Sequence, residues 1–208
     1  MKKLLCTSVA GLLIGNALPA FAASTTELTV TGLITPTACT PSLSSGGLVE
    51  YAKVSAKDLD PIRSTKLADA RLEMEILCEG PTAMAFKLID NQLGTSTSKY
   101  GLGLGLTSAQ EKIGQVIIKF ENPLADNVAV HVSESEDGGQ TWATNKTQGF
   151  YTLSLHAPSN TADMTQPISS TRFTTGLKIN ALIARADSLT LTGEEAFRAN
   201  GTIEVNYL

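Results

Sequence analysis

The chain has 208 residues, of which 42% are hydrophobic, 5% aromatic and 17% charged, and its formal net charge at pH 7 is −4. This length suits one domain of sandwich size or two small domains, with a core large enough to fold without a structural metal. The excess of acidic over basic side chains leaves no basic field to attract phosphate backbones, which argues against a nucleic-acid-binding protein.

The first segment of the chain, residues 1–22, has the organisation of a secretory signal peptide. Two lysines precede an apolar run over residues 4–18, and alanines occupy the −3 and −1 positions of a cleavage site after Ala22. The apolar run is shorter than a membrane-spanning helix. Only two apolar residues precede Cys6, too few for the hydrophobic region of a lipoprotein signal. We therefore expect an exported protein without a lipid anchor.

An alternating segment comes next and leads to the first cysteine of the exported chain. Its positions on one face are Leu28, Val30, Gly32 and Ile34, with threonines mostly on the opposite face. Cys39 follows, and Cys78 is the second cysteine that remains after cleavage. Two cysteines in an oxidising compartment predict a disulfide, and the lack of any CxxC pair argues against a zinc site.

The rest of the sequence predicts an all-β domain of seven to nine strands. Thr (25) and Ser (17) make up about a fifth of the residues, which favours strands with solvated outer faces over a helical bundle. Apolar and polar residues alternate in successive runs separated by turn residues, the spacing of a two-sheet sandwich. The aligned apolar positions are Leu72, Met74, Ile76 and Cys78; Leu102, Leu104 and Leu106; Val116, Ile118 and Phe120; Val128, Val130 and Val132; Tyr151, Leu153 and Leu155; and Leu177, Ile179 and Ala181. Residues 50–70 leave room for one short helical turn, and no linker marks a second domain.

One local motif predicts a tight hairpin over residues 133–142. Ser135, Asp137, Gly139, Thr141 and Trp142 follow the pattern S-x-D-x-G-x-T-W, which resembles the Asp-box of sialidase-type β-propellers. In such a turn the Asp side chain bonds turn amides and the glycines supply positive φ angles. Propeller enzymes carry several copies on a longer chain, so this single copy predicts a hairpin and not glycosidase activity. Corner packing of the Trp side chain and contact with a carbohydrate both remain open.

Side chains suited to acid–base catalysis at neutral pH are few. His131 alternates with valines and is expected on the solvated face of its strand, and His156 stands just before Pro158, where a turn is expected. No GxSxG nucleophile motif is present. The acidic cluster around Glu136 lacks the ligand spacing of a calcium loop. The sequence therefore predicts neither an enzyme nor a cofactor or metal site.

The last predicted strand is the most regular, and it completes a pattern that brackets the exported chain. Its aligned positions are Phe197, Ala199, Gly201, Ile203, Val205 and Tyr207, with Leu208 at the end and Gly193 fourteen residues before the tyrosine. Together with the alternating segment and the spacing of the two cysteines, it resembles the subunits of chaperone–usher pili. The likeness is closest to a group of proteobacterial fimbrial-like secreted proteins of undefined function.

This resemblance implies an immunoglobulin-like sandwich that lacks its last strand and is completed by donor-strand exchange. Residues 1–22 would be the signal peptide, 23–38 a donor-strand extension and 39–208 the pilin-like sandwich. A periplasmic chaperone lends a strand to the open groove, and the extension of a neighbouring subunit replaces it during assembly at an outer-membrane usher into a fimbrium on the cell surface.

The resemblance also implies roles for individual residues. Leu28, Val30 and Ile34 fill pockets of the groove, and Gly32 lies where a side chain has no room. Residues 197–207 form one wall of the groove. Tyr207 and the carboxylate of Leu208 contact the chaperone.

The alternative is that residues 27–35 form the first strand of a complete sandwich. Such a protein would be a self-contained periplasmic domain that binds a small ligand or a carbohydrate. The two interpretations differ in one respect: a complete domain needs no strand from another molecule.

Overall fold

The computed structural model describes residues 38–208 and the single positions 29 and 31. The compact unit that contains all the described strands spans Thr35–Leu208. The strands are β1 (Cys39–Leu43), β2 (Thr65–Lys66), β3 (Ala70–Asp90), β4 (Leu102–Gly103), β5 (Gly114–Ala125), β6 (Val128–Ala129), β7 (His131–Ser135), β8 (Ala143–Thr144), β9 (Leu155–Ser159), β10 (Ser169–Ile183) and β11 (Gly201–Tyr207). Single 3₁₀ turns occupy Ala56–Asp58 and Ala186–Ser188, and the chain turns at Ser44–Gly47 with positive φ angles at Ser45 and Gly46. The all-β sandwich expected from the alternating pattern is therefore confirmed.

Strand β3 belongs to both sheets of the sandwich. Its first half pairs with β1 and β10, and its second half pairs with β11 and, at Phe86, with β9. The first sheet has the order β4-β5-β10-β3-β1 and the second the order β11-β3-β9-β7-β8, with every named pair antiparallel. The pairing of β3 with β10 shifts register around Gly80 and Pro81, where β3 passes from one sheet to the other. The strand continues through Gly80 and Pro81.

The core between the two sheets contains a cluster of aromatic rings. Phe86 lies at its centre, with ring centroids 5.9 Å from Phe120, 5.6 Å from Phe150 and 5.2 Å from Phe173. The first two pairs meet edge to face, the arrangement that aromatic quadrupoles favour. All four rings are at most 4% exposed, so they supply much of the apolar burial that stabilises the sandwich.

The predicted disulfide between Cys39 and Cys78 is present and joins β1 to β3. The two cysteines occupy directly opposed positions of the antiparallel ladder. Beside them, the backbone N–H of Cys39 donates to the hydroxyl of Tyr207 at 2.9 Å. The start of β1 is therefore bonded both to β3 and to the end of β11.

Several predicted strands have different bounds in the structure. The last strand begins at Gly201 and not at Phe197, and the run at Leu102 is a strand only as far as Gly103. The chain turns before Leu155, which leaves the predicted inward-facing Leu153 57% exposed. The described part of the chain contains no helix with the length and hydropathy needed to cross a membrane.

Candidate functional site: an apolar groove beside the last strand

An apolar groove with a volume of about 1070 Å³ lies between two segments of the chain, residues 43–56 and residues 193–203. Its floor is formed by side chains from both sheets, among them Leu72, Leu88, Val116, Ile118, Phe150 and Leu177. These floor residues are at most 7% exposed. The floor is thus the part of the core that faces the groove, and the two segments are its walls.

Strand β11 forms part of one wall and has one unpaired edge. Its other edge pairs with β3, and the N–H of Leu208 donates to the Ala83 carbonyl at 3.0 Å. That bond places the even-numbered residues of β11 in the ladder to β3, because hydrogen-bonded positions alternate along an antiparallel pair. Ile203 and Val205 consequently direct their N–H and C=O groups to the opposite edge, while their side chains pack against the core. Among the described residues, no strand pairs with that edge.

Residues 184–200, which include the rest of this wall, form an irregular strap held by two carboxylates. Glu111 accepts the N–H of Thr190 at 2.5 Å and its hydroxyl at 2.8 Å. Glu195 accepts the N–H of Ser108 at 3.1 Å and its hydroxyl at 2.5 Å. The bonds from Thr190 hold the pKa of the Glu111 carboxyl below its usual value. The strap is therefore bonded to the segment between β4 and β5.

The opposite wall also presents unpaired backbone. Within the part of the chain that the structure describes, residues 49–54 belong to no strand and bond no other segment through their backbone. Val49, Tyr51 and Val54 nevertheless pack against the core. The groove is thus a gap between two walls of about strand length, with apolar side chains beneath it and free backbone groups along both walls.

Two side-chain contacts join the walls across the gap. The rings of Tyr51 and Phe197 have centroids 6.3 Å apart. Nearby in sequence, Lys53 Nζ lies 2.8 Å from Glu194 Oε1, with side chains that are 88% and 78% exposed. We call these four residues the rim contacts. They lie on the part of the groove walled by the strap, away from the free edge at Ile203 and Val205.

The predicted glycines of this wall differ in their surroundings. A Cβ at Gly201 would lie 3.0 Å from Leu102 Cδ1 and 3.2 Å from Leu88 Cδ1, so the lack of a side chain lets β11 start close to its neighbours. A Cβ at Gly193 would meet nothing within 4 Å. Gly193, Phe197, Ala199, Gly201 and Ile203 line the groove, whereas Val205, Tyr207 and Leu208 follow it toward the C-terminus.

The hairpin motif forms a closed network around Asp137. Its carboxylate accepts the Thr141 N–H at 2.9 Å, the Thr141 hydroxyl at 2.6 Å and the Ser135 hydroxyl at 2.7 Å. The bonds from Thr141, followed by that from Ser135, lower the pKa of Asp137 to about 2. Trp142 Nε1 donates to the Gly139 carbonyl at 3.1 Å. The indole N–H is thereby used within the turn.

The sequence predicts a turn at His156, but in the structure this residue is fully buried in β9. Its ring centroid is 5.2 Å from Phe150 and 5.5 Å from Phe120. Burial away from water lowers the pKa of the imidazole to about 4. Since Phe150 also lines the groove, this histidine supports the groove floor from below and has no access to a ligand.

The remaining predicted site residues are distributed as follows. The alternating positions Leu28, Val30, Gly32 and Ile34 lie outside the described residues. Over the described ranges, no group of three or more His, Cys, Asp or Glu side chains is placed to hold a metal ion. The sequence reasoning missed Tyr51, Lys53 and the two carboxylates that hold the strap. The alternation of Val49 with Tyr51 was the one local signal that could have indicated a groove wall.

Comparisons with known proteins give a family description and two relatives. Residues 28–100 match a family model described as "Protein of unknown function (DUF1120)". The chain is 27% identical to Protein GltF of Escherichia coli (strain K12) over an alignment of 232 positions that covers 88% of each protein. It is also 27% identical over 165 residues to the protein named Uncharacterized protein YhcF of the same organism, covering 67% of this chain and 69% of that one. These matches fit the expected relation to a family of proteobacterial proteins.

Proposed function

We propose that this protein is a structural subunit of a fimbria or fimbrial-like fibre, assembled by donor-strand complementation. The observation that carries the proposal is the gap itself: an apolar floor between two walls that, among the described residues, have unpaired backbone groups at 49–54 and at the free edge of Ile203 and Val205. An edge of this kind invites pairing with a strand from another chain. Backbone bonds to Ile203 and Val205 would supply affinity, and alternate side chains entering the groove would fix the register.

The proposed occupant is the segment around residues 27–35 of a neighbouring copy or a related subunit. Its apolar positions recur every second residue, which matches the side-chain period of a strand lying over an apolar floor. A periplasmic chaperone would occupy the groove beforehand, and an outer-membrane usher would organise the exchange. The protein would then act in the periplasm and afterwards in a fimbrium at the cell surface, as a building unit and not as an enzyme.

Thermal unfolding with an added strand tests this proposal. An oxidised variant lacking residues 23–35 is heated with and without a synthetic peptide of residues 24–38. We expect the peptide to raise the melting temperature by tens of degrees, because it binds the folded state alone and buries apolar surface in the groove. A peptide carrying Val30→Asp is the control and should stabilise much less, because it places a charge over an apolar floor.

Two proline substitutions locate the binding edge. Val205→Pro removes an N–H that points to the free edge, so the pairing of β11 with β3 survives while the added strand loses a partner. Glu204→Pro removes an N–H from the ladder to β3 and should lower the stability of the domain itself. Full stabilisation of the Val205→Pro variant by the peptide would contradict strand addition at this edge.

A self-contained domain that binds a small ligand is the second candidate, and the rim contacts favour it. They partly cover the groove, and a largely apolar cleft of this size accepts small molecules. Because the floor is apolar, a small ligand would place an apolar face against it. A domain lacking residues 23–35 that is stable alone and indifferent to the peptide would favour this candidate.

A further inference from the structure

The rim contacts lie in the space that an inserted strand would have to cross. Neighbouring strands in a sheet are about 4.8 Å apart, so a strand placed between two walls requires roughly twice that distance between them. Tyr51 and Phe197 extend from opposite walls and their rings contact each other in this gap. A strand that fills the whole groove must displace at least this pair.

The ion pair stands over the same part of the groove. Lys53 and Glu194 belong to opposite walls and are bonded at 2.8 Å, and both are mostly exposed to solvent. An exposed pair of this kind is weak and sensitive to salt. It therefore suits a contact that forms in the empty subunit and is easily broken by an incoming chain.

The geometry points to a latch: the rim contacts hold the groove closed at the strap end until a donor strand displaces them. The inference rests on the proposed function and adds a control on the rate at which a donor strand is captured. Insertion would begin at the free edge beside Ile203 and Val205, where no described strand competes, and would finish by separating Tyr51 from Phe197 and Lys53 from Glu194. The latch thus slows capture of a strand by a free subunit without removing its affinity.

Charge reversal tests the latch in the whole exported chain, with its disulfide intact. The rate of capture of a fluorescent peptide of residues 24–38 is followed by anisotropy in the wild type, Lys53→Glu, Glu194→Lys and the double variant. Each single reversal replaces attraction by repulsion across the rim, and we expect about a fivefold increase in the capture rate. The double variant restores an ion pair and should return to the wild-type rate. High salt should reduce the differences.

The two single variants also control for simple attraction or repulsion between protein and peptide. The peptide carries one charged residue, Glu27, so a net-charge effect would slow one variant and accelerate the other. Lys146→Glu, at an exposed position outside the groove, makes the same charge change as Lys53→Glu and should leave the rate unchanged. Acceleration in both single variants together with rescue in the double variant supports the latch.

Two other outcomes overturn it, and they differ in meaning. If the wild type and all variants capture the peptide at one rate, the latch is wrong while strand addition stands. If no variant captures the peptide at any rate, the proposed function fails and the latch fails with it.

Discussion

The buried histidine makes the stability of the sandwich depend on pH in a defined window. His156 is 0% exposed and its ring contacts Phe86, Phe120 and Phe150. Protonation would place a charge among aromatic rings, and this burial lowers the pKa of the imidazole from 6.5 to about 4. The unfolded chain therefore binds a proton at pH values where the folded chain does not.

The sign and size of the effect follow from that difference in pKa. Above pH 6.5 the imidazole is neutral in both states and contributes no pH dependence. As the pH falls from 6.5 to 4, the free energy of unfolding should decrease by about 3 kcal/mol, and below pH 4 this contribution should stay constant. A loss of that size is a large part of the stability of an ordinary domain.

Urea denaturation across this pH range measures the effect, with His156→Phe as the test variant. The phenyl ring suits an aromatic cluster and does not titrate, so the wild-type decrease between pH 6.5 and 4 should be absent from the variant. Taking the difference between the two proteins removes the contribution of other groups, such as Glu134, whose pKa is raised by burial and by Glu136. His131→Gln, on a half-exposed position, controls for the loss of a histidine. Equal pH dependence in the wild type and His156→Phe would refute the reasoning.

Three further variants test contacts around the walls and the hairpin. Replacing both cysteines of the disulfide by serine should lower the free energy of unfolding by about 4 kcal/mol in urea titrations, since the bond closes a loop with a separation of 39 residues; unchanged stability would contradict this. Tyr207→Phe removes the acceptor for the Cys39 N–H and should cost about 1 kcal/mol or less in the same assay, and a larger loss would indicate a further role for the ring. Asp137→Ala should accelerate hydrogen exchange at the Thr141 amide while the rest of the domain keeps its protection, whereas slow exchange there would show that the carboxylate does not hold the turn.

Most of the sandwich could be predicted from the sequence because burial alternates along most of its central strands. Buried residues fall on every second position from Leu72 to Cys78 in β3 and from Phe173 to Ile183 in β10, as period-two patterning requires. The disulfide followed from the number of cysteines and the expected compartment. These features depend on the local alternation of apolar and polar residues or on the number of cysteines, so no knowledge of the tertiary packing was needed.

The exceptions arise where the burial of side chains does not coincide with the expected pairing of the backbone. Phe197 and Ala199 alternate like a strand because they pack on the core, but the N–H between them, of Arg198, bonds the loop carbonyl of Leu104 and not a neighbouring strand. His156 was assigned to a turn because Pro158 follows it, yet β9 accommodates the proline while pairing with β7. Sequence alternation reports which side chains are buried and does not report where the backbone bonds go.

The groove itself depends on nonlocal bonds of several kinds. Its walls are attached to other parts of the domain: β11 to β3, the strap to Glu111 through Thr190 and to Ser108 through Glu195, and the start of β1 to β3 through the disulfide. Walls held in this way need no occupant to keep their positions, so an added strand should increase the stability of an already folded domain. The peptide experiment therefore measures strand addition as an increment over a folded baseline, and the proline variants show which edge receives it.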